Sequence, residues 1–182
     1  MTGRFRLITM AVAVGVTAAA IAVGGAAMAD GSSGIGNVKE QLSGFEEDPL
    51  VLSTTGSGTF TAHIDEGNQA ITYELSYSSL EGSVLQAHIH IGGKAQSGGI
   101  SVFLCSNLGN GPAGTQLCPA APATVTGTIR PADVIGPAGQ GVTAGQFDEL
   151  LAAIRGGVTY VNVHSSLYPG GEIRAQLHHD QT

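Results

Sequence analysis

Tryptophan is absent, aromatic residues of all kinds amount to 5%, and charged residues to 12%, about half the usual share. So little charge leaves no material for long surface helices laced with ion pairs. Lysine and arginine together number 7 against 14 aspartates and glutamates, a formal charge of -7. That balance has the wrong sign for affinity built on phosphate neutralisation and argues against nucleic acid as a partner. The chain has 2 cysteines and no Cys-x-x-Cys pair, and it lacks a Gly-x-Ser-x-Gly elbow, a phosphate-binding loop and a candidate thiol nucleophile. What it has in excess is glycine, 28 of 182 residues, about twice the average usage. At a prior of about 150 residues per domain, the length fits a single domain with a short surplus.

The surplus lies at the N-terminus. Arg4 and Arg6 precede an apolar run from Leu7 to Val23, and Ala27-Met28-Ala29 places small residues where a signal peptidase reads. Residues 1–29 are therefore expected to be a cleaved signal peptide. The apolar run contains Thr9, Gly15 and Thr17 and falls short of the roughly 20 residues that span a bilayer, which disfavours a permanent anchor. No membrane insertion is expected after cleavage, and the product should be secreted or otherwise extracytoplasmic. In an oxidising compartment Cys105 and Cys118 are expected to form a disulfide across a loop rich in Gly and Pro.

Along the remainder the dominant pattern has period two. Phe60, Ala62 and Ile64 alternate with Thr59, Thr61, His63 and Asp65. Glu66-Gly67-Asn68 then supplies a turn before Ile71, Tyr73 and Leu75 resume the alternation, which predicts a hairpin. Further strands are predicted at Val84–Ile91, Ile100–Cys105, Thr124–Arg130, Val158–His164 and Glu172–His178. One short amphipathic helix is predicted over 144–155. Thr143 and Gln146 form a capping-box pattern there, Phe147, Leu150, Leu151 and Ile154 share a face, and Gly156-Gly157 stops the helix. The fold class that follows is all-β, with seven or so short strands that suggest an antiparallel sandwich. Residues 30–41 read as a flexible leader, 42–178 as the domain and 179–182 as a C-terminal tail.

Alternation also sorts polar groups. In Val84–Ile91, Ala87, Ile89 and Ile91 oppose His88 and His90; in Val158–His164, Val161 and Val163 oppose Asn162 and His164. In the last strand Ile173, Ala175 and Leu177 oppose Glu172, Arg174 and Gln176. The polar groups are expected on faces turned away from the core, toward water.

These segments carry a resemblance. Ala87-His88-Ile89-His90-Ile91-Gly92, then Tyr160-Val161-Asn162-Val163-His164-Ser165, then Pro169-Gly170-Gly171-Glu172-Ile173-Arg174-Ala175-Gln176-Leu177 resemble in sequence and order the CHRD domain, named from chordin. Leu42-Ser43-Gly44-Phe45-Glu46-Glu47-Asp48-Pro49 is similar to the opening segment of that family and Gly127-Thr128-Ile129 to its middle strand. Leu50 and Ala175 depart from the common pattern, at positions outside the polar set. The resemblance implies an immunoglobulin-like β-sandwich or barrel and no particular activity.

His88 and His90 present two imidazoles on one strand face, a spacing suited to chelation, and His164 is the candidate third ligand for copper or another transition metal. The competing role for these three, with Asn162, Glu172 and Arg174, is a polar network that ties loops to the sheet. Glu172 and Arg174 share a face and could form a wet ion pair worth under about 1 kcal/mol. His63 is expected to be exposed, His178 and His179 to lie at a frayed end, and Glu46, Glu47 and Asp48 to form a solvated lead-in to the first strand. Two functions follow: a non-catalytic extracellular module that binds an unidentified protein or small ligand, or a metal-binding protein, in one version redox-active.

Overall fold

Extended segments with one apolar face fold by pairing edges and burying that face together. In the computed structural model, which describes residues 35–178, eight strands do so: β1 (Ile35–Ser43), β2 (Ser57–Asp65), β3 (Ala70–Ser78), β4 (Val84–Ile91), β5 (Gly99–Ser106), β6 (Ala123–Ile129), β7 (Thr159–Ser165) and β8 (Ile173–Gln176). All pair antiparallel in the order β5-β4-β7-β8-β1-β2-β3-β6. The sheet is two four-stranded halves joined between β8 and β1 by one pair, Ser43 opposite Arg174. The all-β expectation holds, in the form of one sheet curled into a nearly closed barrel. The predicted signal peptide and the 179–182 tail lie outside the described residues.

At the open seam β5 and β6 are bridged by side chains. Tyr73 Oη and Gln116 Nε2 both donate to the Leu104 carbonyl at 3.1 Å, and Gln116 Nε2 also donates to the Thr126 carbonyl at 3.0 Å. The Cys105–Cys118 disulfide forms as expected and holds the loop that carries Gln116 against β5.

Inside lie the apolar faces the alternation assigned, among them Phe60, Leu75, Ile89, Val125, Val161, Val163 and Ile173. At about 25 cal/mol per Å² this burial is the main stabilising contribution. The helix α1 runs from Phe147 to Arg155, three residues shorter at its start than expected. Half of the anticipated capping box is present: Gln146 Oε1 accepts the Thr143 N–H at 2.6 Å, while no side chain caps the helix from its N-cap position. Phe147, Leu150, Leu151 and Ile154 are buried, and Arg155 pairs with Glu66 in the β2–β3 turn, which places the helix end at that end of the barrel.

The leader needs correction. Residues 35–41 belong to β1, in full register with β2 from Ile35 opposite Asp65 to Ser43 opposite Ser57. Val38 and Leu42 are its buried large apolar residues among those whose burial is described, so the apolar signal is sparse, and backbone pairing to β2 supplies the order instead.

Candidate metal centre

The polar faces of β4, β7 and β8 combine because register is preserved across the three strands. His88 lies opposite Asn162, and Asn162 opposite Arg174; His90 lies opposite Tyr160, and Tyr160 opposite Gln176; His164 lies opposite Gln86. The polar groups therefore gather on one side of the sheet, as alternation requires.

That side is not wet. His88 is 0%, His90 7%, His164 6%, Asn162 4%, Glu172 0% and Arg174 2% exposed, which corrects the expectation of a solvated face. The reason is a roof of loops that strand periodicity does not reveal. The β4–β5 loop supplies the Gly93, Gln96 and Gly98 backbone, the β7–β8 loop supplies Pro169, and the segment after β1 supplies Glu47 and Thr54. Arg174 Nη2 donates to the Gly93 carbonyl at 2.9 Å and the Gln96 carbonyl at 3.2 Å, with its guanidinium 3.5 Å above the Tyr160 ring. Glu172 does not pair with Arg174; its Oε1 accepts from the Thr54 hydroxyl at 2.8 Å and the Glu81 N–H at 2.7 Å. Both residues pin loops, and the anticipated wet ion pair is absent among the described residues.

The three histidines meet. One ring nitrogen from each lies within 4.8 Å of those of the other two. Ring centroids are 5.3 Å apart for His88 and His90 and 5.0 Å for His88 and His164. The register of β4 on β5 shifts between Ala87 and His88 and again between Ile89 and His90, irregularities of the kind that re-aim side chains.

Hydrogen bonds set the tautomers. A carbonyl oxygen only accepts, so in the neutral rings the His90 Nδ1 donates to the Gly98 carbonyl at 3.0 Å and the His164 Nδ1 to the Pro169 carbonyl at 3.1 Å. Both Nε2 atoms therefore carry lone pairs. His164 Nε2 lies 3.2 Å from His88 Nδ1, whose proton it accepts, and His88 Nε2 and His90 Nε2 are buried with no hydrogen-bond partner. Gly98 also donates its N–H to Tyr160 Oη at 3.0 Å, and Tyr160 stacks on His90 with centroids 4.7 Å apart. A side chain at Gly98 would run into the Ile91 carbonyl, so only glycine serves this anchor. The Phe103 ring closes over His88 edge-on at 4.4 Å.

Burial keeps the rings neutral. It pushes His88 down to about 2, with the neighbouring His164 and His90 adding to the effect, and pushes His90 down to about 4 against the opposing pull of the Gly98 carbonyl. His164 is lowered as well, again by burial. Glu47 moves the other way: burial raises its carboxyl to about 7. Its Oε2 accepts from Asn162 Nδ2 at 3.2 Å.

A pH dependence of stability follows. The unfolded chain protonates its histidines near 6.5 while the folded His88 and His90 resist protonation, so stability falls as pH drops below about 6.5. Glu47 opposes this, because its folded carboxyl holds a proton between about 4.5 and about 7 that the unfolded chain has released. Two histidines outweigh one carboxyl. The expected net loss is roughly 1–3 kcal/mol between about pH 6.5 and about pH 4.5, steepening below that where Glu47 ceases to oppose. Urea midpoints measured across this range check it, and a flat or rising stability on acidification would refute it.

Sequence periodicity located His88, His90, His164, Asn162, Arg174 and Glu172 on this side but missed three partners. Glu47, expected in a solvated acidic run, is buried, and only the resemblance of its segment to a family opening singled it out. Tyr160 and the Gly98 carbonyl carry no signature of their own. His63 is exposed and bonded to Asn37 at 3.1 Å, as expected, and His178 is held to Glu40 Oε1 rather than frayed. His179 lies outside the described residues.

Compared with known proteins, residues 38–177 match the family model described as the CHRD domain. No curated protein and no solved structure matches the chain.

Proposed function

The chain belongs to the CHRD domain family, and from that premise we propose that it is an extracytoplasmic, non-catalytic binding module whose buried three-histidine site takes a transition-metal ion. The family and the disulfide support the compartment, since such bonds persist where thiols are not kept reduced. The observation that carries the metal assignment is the anchoring of His90 and His164. Each donates Nδ1–H to a backbone carbonyl and offers a lone pair at Nε2, the arrangement by which proteins orient metal-ligating imidazoles. His88 completes the set. Two nitrogens bound to one ion at about 2.0–2.1 Å stand roughly 3.3 Å apart at a tetrahedral angle, close to the 3.2 Å between His88 Nδ1 and His164 Nε2. An ion there takes the place of the shared proton, which moves to His88 Nε2 so that the ring stays neutral. A set of three imidazoles without carboxylate or thiolate suits copper or zinc better than magnesium or calcium.

Titrating Cu(II) or Zn(II) into the metal-free protein tests this. One ion per chain is expected, with affinity falling at least about 100-fold in the His88→Ala, His90→Ala double variant. The exposed His63→Ala control should bind as the wild type does. Equal weak binding by all three proteins would leave the histidines as a loop-anchoring network only.

A further inference from the structure

A divalent ion in this site brings two positive charges into a buried face whose ligands are all neutral. A formal cation is already there: Arg174 stacks on Tyr160, which stacks on the ligand His90. Uncompensated charge in a low-dielectric interior is costly, so a nearby anion would favour uptake strongly. Of the two buried carboxyl groups at this face, Glu172 has its Oε1 committed to the Thr54 hydroxyl and the Glu81 N–H, while its Oε2 is buried without a partner. Glu47 is not so committed. Its one side-chain donor is Asn162, and its Oε1 is buried without a side-chain partner.

We propose that Glu47 is the counter-charge of the three-histidine site, releasing its carboxyl proton to solvent when a cation is taken up. This rests on the metal assignment above and goes beyond it by naming what regulates that site. Asn162 connects the two: it lies opposite His88 in the β4–β7 pair, a placement that puts Cβ atoms about 4.5–5.5 Å apart, and its amide holds Glu47. A second observation shows that room for the carboxyl is built in. Gly171 has φ of 137°, and a Cβ there would lie 2.5 Å from Asn162 Nδ2 and 2.6 Å from Glu47 Oε2. Any side chain at this position would displace the pair.

The groups that act on Glu47 are few. Burial is the largest effect and raises its carboxyl to about 7, leaving it about half protonated near pH 7 and largely neutral below that; the Asn162 amide from β7, Arg174 from β8 and the Asp48 backbone N–H favour the carboxylate, and the Asp48 carboxylate disfavours it. The charge of Glu47 is felt in turn by Tyr160 from β7. A bound cation reverses this balance, and the O–H bond of Glu47 breaks with its proton passing to buffer.

Zn(II) affinity of the full-length protein, measured by chelator competition from about pH 6 to about pH 8, tests the proposal. Affinity should rise up to about tenfold per pH unit below about pH 7 and level off above it. Glu47→Gln, which keeps the shape and the amide contact, should flatten the rise to less than about twofold. Calorimetry in two buffers of different ionisation enthalpy should show most of one proton released per zinc near pH 6.5 in the wild type and little in the variant. No zinc binding by the wild type would overturn the metal assignment itself. Zinc binding with pH-independent affinity and no proton release, or equal release by Glu47→Gln, would overturn the role of Glu47 alone. Should the variant fail to fold, the wild-type proton count decides.

Discussion

Arg174→Ala is expected to lower the unfolding free energy by about 2–4 kcal/mol, a large share of the 5–15 kcal/mol typical of a domain. Arg174 is 2% exposed, and its guanidinium links β8 to the Gly93 and Gln96 carbonyls of the β4–β5 loop, beside the Gln176 amide that holds the Gly92 carbonyl. Truncation strands those carbonyls, opens a void beneath the loop and removes a desolvated cation–π contact of about 2 kcal/mol with Tyr160. Partial relief comes from removing a buried charge with no carboxylate bonded to it, which is why the loss stays below the sum of these effects. Two further variants separate the contributions. Arg174→Lys keeps the charge and loses the planar fork, and should cost about half as much. Arg174→Met keeps the stem and loses every polar contact, and should fall near alanine if hydrogen bonding and stacking dominate. Urea denaturation of the series measures this, and a loss under about 0.5 kcal/mol for alanine would mean that the loop is held by other contacts.

The second large effect concerns the seam. Replacing Cys105 and Cys118 together by serine should cost about 3 kcal/mol, the loop-closure value for a separation of 13 residues. The loss should be local in its first consequence. The disulfide keeps the Gln116 loop against β5, and Gln116 in turn ties the Leu104 carbonyl on β5 to the Thr126 carbonyl on β6. Hydrogen exchange should therefore accelerate first in the pairing of β6 with β3 and at the β5 edge, before the β4–β7–β8 centre. Uniform acceleration across all strands would show that the bond acts only on the unfolded chain, and a stability change below about 1 kcal/mol would show that it does little at all.

How far the site was legible can be judged residue by residue. His88 and His90 are two apart on one strand, so backbone geometry alone puts both on one face. The same holds for Asn162 with His164 and for Glu172 with Arg174. What alternation cannot supply is the depth of that face. The roof is made of backbone carbonyls from Gly93, Gln96, Gly98 and Pro169 and of one carboxyl from Glu47, contributed by loops whose paths depend on turns and long-range contacts. Glu172 and Arg174 looked like a pair for the same reason: they share a face, yet each turns to a different loop. β1 escaped notice because its apolar residues Ile35, Val38 and Leu42 stand three and four apart rather than two, and its order comes from nine successive partners on β2.

The sequence by itself determined the all-β class, the positions of seven strands and the helix, the cysteine pairing and the sorting of imidazoles away from the aliphatic core. Each of these follows from local chemistry: period-two alternation, turn residues and proximity along the chain. Tertiary structure alone decided that the sheet nearly closes into a barrel, that the polar side is roofed over, that three imidazoles meet, and that Glu47 is buried against Asn162. Those outcomes depend on strand order and loop paths between residues as far apart as Glu47 and Asn162, and no local pattern encodes a contact of that range.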